Sequence, residues 1–119
     1  MKRTLIIGAS PNPERYAYKA AHMLISKGHE IVNIGIKKGA VAGVEIEKAG
    51  TPLQDIHTIT LYLGTDLQKQ YYEYILATRP ERVIFNPGTE NQELENLLKN
   101  NNIEAIEACT LVLLSTGQF

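Results

Sequence analysis

Residues 3–8 read RTLIIG, a short apolar, β-branched run closed by glycine. Such a run suits a strand buried on both faces, which is the situation of a parallel sheet covered by helices on either side. Residues 9–28 narrow the choice further. Asn12 offers a side-chain oxygen to cap a helix, Pro13 fits the first helical position, and apolar residues recur at Ala17, Ala20, Ala21 and Leu24 until Gly28. The spacing predicts an amphipathic helix of about fourteen residues. HEIVNIGI at 29–36 then predicts a second strand. Strand, helix and strand in such short order make a βαβ unit with a right-handed crossover.

The alternation continues along the chain. HTITLYL at 57–63, RVIFN at 82–86 and IEAIEA at 103–108 predict three more strands. Thr65 with Gln68, and Thr89 with Gln92, read as capping boxes that open two further helices. The first would bury Leu67, Tyr71, Tyr74 and Ile75 before Pro80 bounds it, with Tyr72 the more exposed tyrosine; the second would bury Leu94, Leu97 and Leu98. Residues 37–55 carry glycines at 39, 43 and 50 and Pro52, which predicts a loop with VEIE as a short edge strand at most. TLVLL near the end fits a short strand or a helical turn. The expected architecture is α/β, a three-layer Rossmann-like doubly wound parallel sheet of about five strands in one domain, 1–119.

Composition limits the partners. With 12 basic and 13 acidic residues the formal net charge is -1, so no overall field draws the chain to nucleic acid or anionic lipid, and any anion site must be local. Cys109 is the one cysteine and has no internal disulfide partner. The apolar run before Gly8 is too short for a signal peptide and no run is long enough to span a bilayer, which together lead us to expect a cytoplasmic protein.

In a doubly wound sheet ligands bind outside the carboxyl ends of the strands, where the winding reverses. The turns after the first four strands carry Gly8 to Asn12, Gly35 to Gly39, Leu63 to Thr65, and Asn86 to Thr89. Gly8 would permit the tight first turn, the free N–H groups of the first helix would seat a phosphate, Ser10 adds a hydroxyl, and Arg15 lies one turn in. The competing reading makes Asn12 and Pro13 a mere helix cap and Arg15 a solvated residue. The glycine pattern of a dinucleotide fold is absent: GASPNP stands where G-x-G-x-x-G would be, and no acidic residue ends the second strand. Lys37 and Lys38 follow it instead, either as ordinary loop lysines or as partners for an adenosine with an extra ribose phosphate, as in coenzyme A or NADP.

These residues carry a resemblance. IIGASPNPERYAYKAAHML, the loop after the second strand, FNPGTEN and the late EACT are together similar to the small stand-alone CoA-binding domain proteins, whose fold is like the amino-terminal domain of the succinyl-CoA synthetase alpha subunit. The likeness covers nearly the whole chain, and its most specific element is the G-A-S-x-N-P-x-R opening. It implies that Gly8, Ala9, Ser10, Asn12 and Arg15 lie against the CoA phosphates, with Lys37 and Lys38 near the ribose phosphate or diphosphate. Leu63 and Gly64 would flank the adenine or pantetheine path, and Pro87, Gly88 and Cys109 would line the far side. The chain departs from the family in reading NIGIKKG where asparagine, proline and lysine are usual, and in lacking paired prolines after the third strand.

Little in the sequence suggests catalysis. The synthetase's phosphorylated histidine belongs to a separate domain, so the resemblance does not imply ligase activity here. His22 falls on a helix, and His29 and His57 at strand starts, the end of the sheet away from the expected crevice. Cys109 is either a buried packing thiol or a group that could form a mixed disulfide with CoA. The reading is a non-catalytic module binding coenzyme A or an acyl-CoA. Its alternatives are an NADP-dependent enzyme, a thiol regulator through Cys109, and an interaction protein without a small ligand that uses the apolar end CTLVLLSTGQF, including as a homodimer.

Overall fold

The computed structural model describes residues 1–119. Its strands are β1 (Thr4–Ile7), β2 (Ile31–Ile34), β3 (Ala40–Val41), β4 (Val44–Glu47), β5 (Thr58–Leu61), β6 (Arg82–Phe85) and β7 (Glu104–Glu107). Its helices are α1 (Tyr16–Ser26), α2 (Thr65–Gln68), α3 (Tyr72–Thr78), α4 (Gln92–Asn100) and α5 (Thr110–Ser115), with a 3-10 turn, Lys69–Tyr71, joining α2 to α3. The strands form one sheet in the order β3-β4-β2-β1-β5-β6-β7, parallel throughout except that β3 runs against β4. The winding reverses between β1 and β5, as in a Rossmann fold.

The pleat sends alternate side chains of β1 into two cores. Leu5 and Ile7 join Ile59, Leu61, Val83 and Phe85 beneath α3 and α4, which contribute Ile75, Leu94 and Leu98. Ile6 joins Ala17, Ala21 and Leu24 of α1, Leu114 of α5 and Phe119 on the other face. Three layers result, with both faces of the sheet covered.

Seven strands replace the expected five or so, because part of the stretch expected as loop is a hairpin. Ala42 and Gly43, at φ 53° and 80°, make the tight turn between β3 and β4. The buried Asn33 of β2 fixes that hairpin, its Nδ2 donating to the carbonyls of Val41 at 3.2 Å and Val44 at 3.1 Å. TLVLL resolves as α5.

Other expectations need correction. α1 starts at Tyr16 rather than Pro13, because Asn12 Oδ1 captures the Glu14 N–H at 3.0 Å and the Asn12 carbonyl that of Arg15 at 3.0 Å, closing a turn before the helix. Neither capping box forms. Gly64 is the N-cap of α2 and Asn91 that of α4, with Asn91 Oδ1 accepting from the Leu94 N–H at 3.2 Å. In α2 Gln68 faces inward and Leu67 outward, and beyond the 3-10 turn Tyr72 and Tyr74 are both half-buried. Leu97 is half-buried rather than fully buried. The apolar carboxyl end is largely spent on the fold: Leu114 and Phe119 are buried, leaving Val112 exposed.

One buried acid opposes this packing at neutral pH. Glu95 of α4 is 7% exposed, its Oε2 has no hydrogen-bond partner, and burial followed by the facing Glu107 carboxylate raises its pKa. A carboxyl that ionises more readily in the unfolded chain supports the fold below its ordinary pKa, and that support is lost as pH rises towards the folded value. Glu95→Gln is therefore expected to raise the melting temperature by a few degrees at pH 7.5, with the gain vanishing near pH 4; thermal melts across that range check it.

Candidate functional site

Where the winding reverses, the turns after β2, β1, β5 and β6 enclose an open cavity of about 480 Å³. Its floor is a close backbone crossing. The Ile34 carbonyl accepts from the N–H groups of both Gly8 and Ala9 at 2.9 Å, drawing the turn after β1 onto the end of β2. A Cβ on Gly35 would stand 2.3 Å from the Ala9 carbonyl oxygen, and one on Gly8, at φ 97°, 2.8 Å from the Tyr62 carbonyl. Two glycines are thus required by two neighbouring backbones.

Above this floor sits the start of α1. Ser10 Oγ accepts from the Asn12 N–H at 3.1 Å, so the GASPNP turn is held by its own side chains. Arg15, the N-cap residue, gives no side-chain cap, and the main-chain N–H groups of Tyr16 and Ala17 have no partner in the chain. Both residues line the cavity. The helix therefore presents uncompensated donors and its positive dipole end to whatever enters.

The opposite lips are bolted together by Gln68, which is fully buried. Its Nε2 donates to the carbonyls of Leu63 and Thr89, both at 2.8 Å, and its Oε1 accepts from Asn91 Nδ2 at 2.8 Å. Asn91 also donates to the Tyr72 hydroxyl, which donates to Glu93 Oε1. Asn86 fixes the end of β6 by donating to Thr60 Oγ1 at 2.7 Å and the Leu61 carbonyl at 2.8 Å while accepting from the Thr110 N–H. Tyr62 also lines the cavity. Its hydroxyl is buried without a hydrogen bond of good geometry, and burial pushes its pKa up to about 12, so it stays protonated.

Of the residues expected at the site, Gly8, Ala9, Ser10, Asn12 and Arg15 line the cavity on the α1 side. Lys37 joins them from the turn after β2, and Leu63, Gly64, Pro87 and Gly88 from the far lips. Lys38 and Cys109 do not line it; Lys38 is exposed, and Cys109 is a half-buried free cysteine at the N-cap position of α5, its thiol making no cap hydrogen bond. Ile36, in the turn after β2, lines it too, as do Tyr16, Leu67, Gln70 and Tyr71, which sequence patterning does not single out for the site. Patterning assigns Tyr71 to packing alone, and Leu67 to a buried face. The histidines stand away from the cavity: His29 Nδ1 accepts the Lys2 main-chain N–H at 2.9 Å, and His57 Nε2 lies 3.4 Å from Glu81. Burial is the chief cause lowering both imidazole pKa values.

The cavity's lining carries Arg15 and Lys37 and no acidic side chain, so its charge complements an anion. Glu90 stands just outside, accepting the Gly88 N–H at 2.9 Å. No helix is long and apolar enough to cross a membrane.

A family described as a CoA binding domain matches residues 2–115. A crystal structure of an uncharacterized protein is 51% identical, covering 100% of this chain and 98% of that one, with a TM-score of 0.98. A Thermus thermophilus protein, 20% identical over 99% of this chain and 90% of its own, superposes with a TM-score of 0.87. A hypothetical protein from Pyrococcus horikoshii does so at 0.84, with 23% identity over 97% and 82% of the two chains. The latter two show a shared fold. No curated protein matches the chain.

The backbone crossing at Gly35 and the buried amide of Gln68 can be probed separately. Gly35→Ala forces the Ala9 carbonyl away and is expected to cost about 2 kcal/mol or more in urea denaturation. Gln68→Leu, which leaves two inward carbonyls unpaired, is expected to cost about 2–4 kcal/mol on the same measurement.

Proposed function

The chain belongs to the CoA-binding domain family, and from that membership we propose that it binds coenzyme A in the crevice across the carboxyl ends of β2, β1, β5 and β6. The observation that carries the reading is the acid-free cavity around the uncapped start of α1, with Arg15 and Lys37 on its rim. A helix terminus with unpartnered N–H groups is a seat for a diphosphate, and a guanidinium beside it adds charge-assisted hydrogen bonds. In this reading Gly8, Ala9, Ser10 and Asn12 approach the diphosphate, Lys37 neutralises the phosphate on the ribose, and Leu63, Gly64, Pro87 and Gly88 follow the rest of the ligand.

The end of β2 supports coenzyme A over NAD. Asn33, at the position where a dinucleotide fold holds ribose hydroxyls with an acid, has its amide nitrogen committed to the β3–β4 hairpin. The ribose finds a lysine there and no carboxylate. The reading is of a binding or sensing module acting in the cytoplasm as one domain, 1–119. The cavity lining contains no histidine, cysteine, aspartate or glutamate, and the Tyr62 hydroxyl is held protonated beneath it.

Calorimetric titration of the purified protein tests this. Coenzyme A is expected to bind more tightly than NADP, and NADP more tightly than NAD. Arg15→Ala and Lys37→Ala should each weaken coenzyme A by about fivefold to tenfold, while Lys38→Ala has the smaller effect. A chain that takes up none of these nucleotides overturns the reading.

A further inference from the structure

The charge of the crevice changes along the sheet. Arg15 and Lys37 stand on the β1 and β2 side, whereas the lining on the β5 and β6 side, chiefly Leu63, Leu67, Gln70, Tyr71 and Pro87, carries no charge. From β2 to β6 is three strand intervals, about 14 Å. An occupant that fills the whole crevice therefore has an anionic end and an uncharged, largely apolar one.

The apolar end is built against the ordinary hydrophobic preference. At the first turn after β5 the glutamine is inside and the leucine outside: Gln68 is 0% exposed and Leu67 51%. Gln68 cannot turn outward without breaking its bonds to Leu63, Thr89 and Asn91, so Leu67 is held facing the cavity mouth. Across the mouth Tyr16 and Ile36, 68% and 78% exposed, also line the cavity, so three of the chain's six exposed large hydrophobic residues gather on one rim.

We propose that the β5–β6 half of the crevice, walled by Leu63, Leu67, Tyr71 and Pro87, is a subsite for an aliphatic acyl group, and that the preferred ligand is an acyl thioester of coenzyme A. The proposal rests on the coenzyme A reading above. Continuity with the anion-binding half selects this occupant: a single ligand carrying phosphates at one end and an acyl chain at the other matches the lining from end to end.

The experiment is calorimetric titration of the whole protein with coenzyme A and its acetyl, butyryl and hexanoyl thioesters. Affinity should rise by about twofold to threefold per added methylene, a fully buried one being worth about fourfold at most. Leu67→Asn should bring the hexanoyl-to-free ratio towards one, while Ile25→Asn, an exposed position outside the crevice, keeps it. Equal affinities across the series would overturn the acyl subsite and leave the coenzyme A reading standing. A chain-length preference that persists in Leu67→Asn would place the acyl group elsewhere and also overturn the assignment. Loss of binding to every member would overturn the coenzyme A reading, and the subsite with it.

Discussion

The site depends on the contact between the turn after β1 and the end of β2. One carbonyl, that of Ile34, takes two N–H groups, and the missing side chain of Gly35 leaves room for the Ala9 carbonyl. That crossing holds the turn that leads into α1 against the end of β2, at the switch point. The second requirement lies on the other side of the crevice, where a buried amide replaces backbone proximity. Gln68 joins two lips that belong to different strands, and its hydrogen-bonding groups are used within a few residues of the lining.

These two devices differ in how far the sequence reveals them. The βαβ opening, the strand-end glycines and the family likeness of GASPNPER can be read because each is local: a strand, a turn and a helix start occupy consecutive residues. Gln68 is legible only as a helix signal. Its spacing from Thr65 fits a capping box, yet its partners are Leu63, Thr89 and Asn91, the latter two brought near only by tertiary structure. The β3–β4 hairpin escapes the sequence for a related reason. VEIE alternates weakly, and it becomes a strand where β4 pairs with β2 and Asn33 of β2 anchors the hairpin carbonyls. Asn12 shows the reverse case, a strong local signal that acts as expected on a neighbouring N–H but ends in a turn rather than a helix.

The crevice also explains why the expected site residues separate. Lys37 lines the cavity, whereas Lys38, the next residue, is exposed and does not. Cys109 follows β7, the edge strand, two places from β5 in the sheet and beyond the lips that close the cavity. Proximity to a strand end is therefore a weaker guide than proximity to the place where the winding turns.

The sheet register has a further consequence. β1 pairs with β2 through Thr4 and Ile31, but its other partner in the sheet, β5, begins at Thr58. The two halves of the crevice are thus joined through a contact that spans about half the chain, and a large loop must close before either lip faces the other. The cavity cannot exist in a chain that has folded only its first βαβ unit. Ligand occupancy and completion of the sheet are in consequence one equilibrium, and any molecule that fills the crevice acts on the entire fold as a thermodynamic load, drawing the folded population up in proportion to its concentration over its dissociation constant.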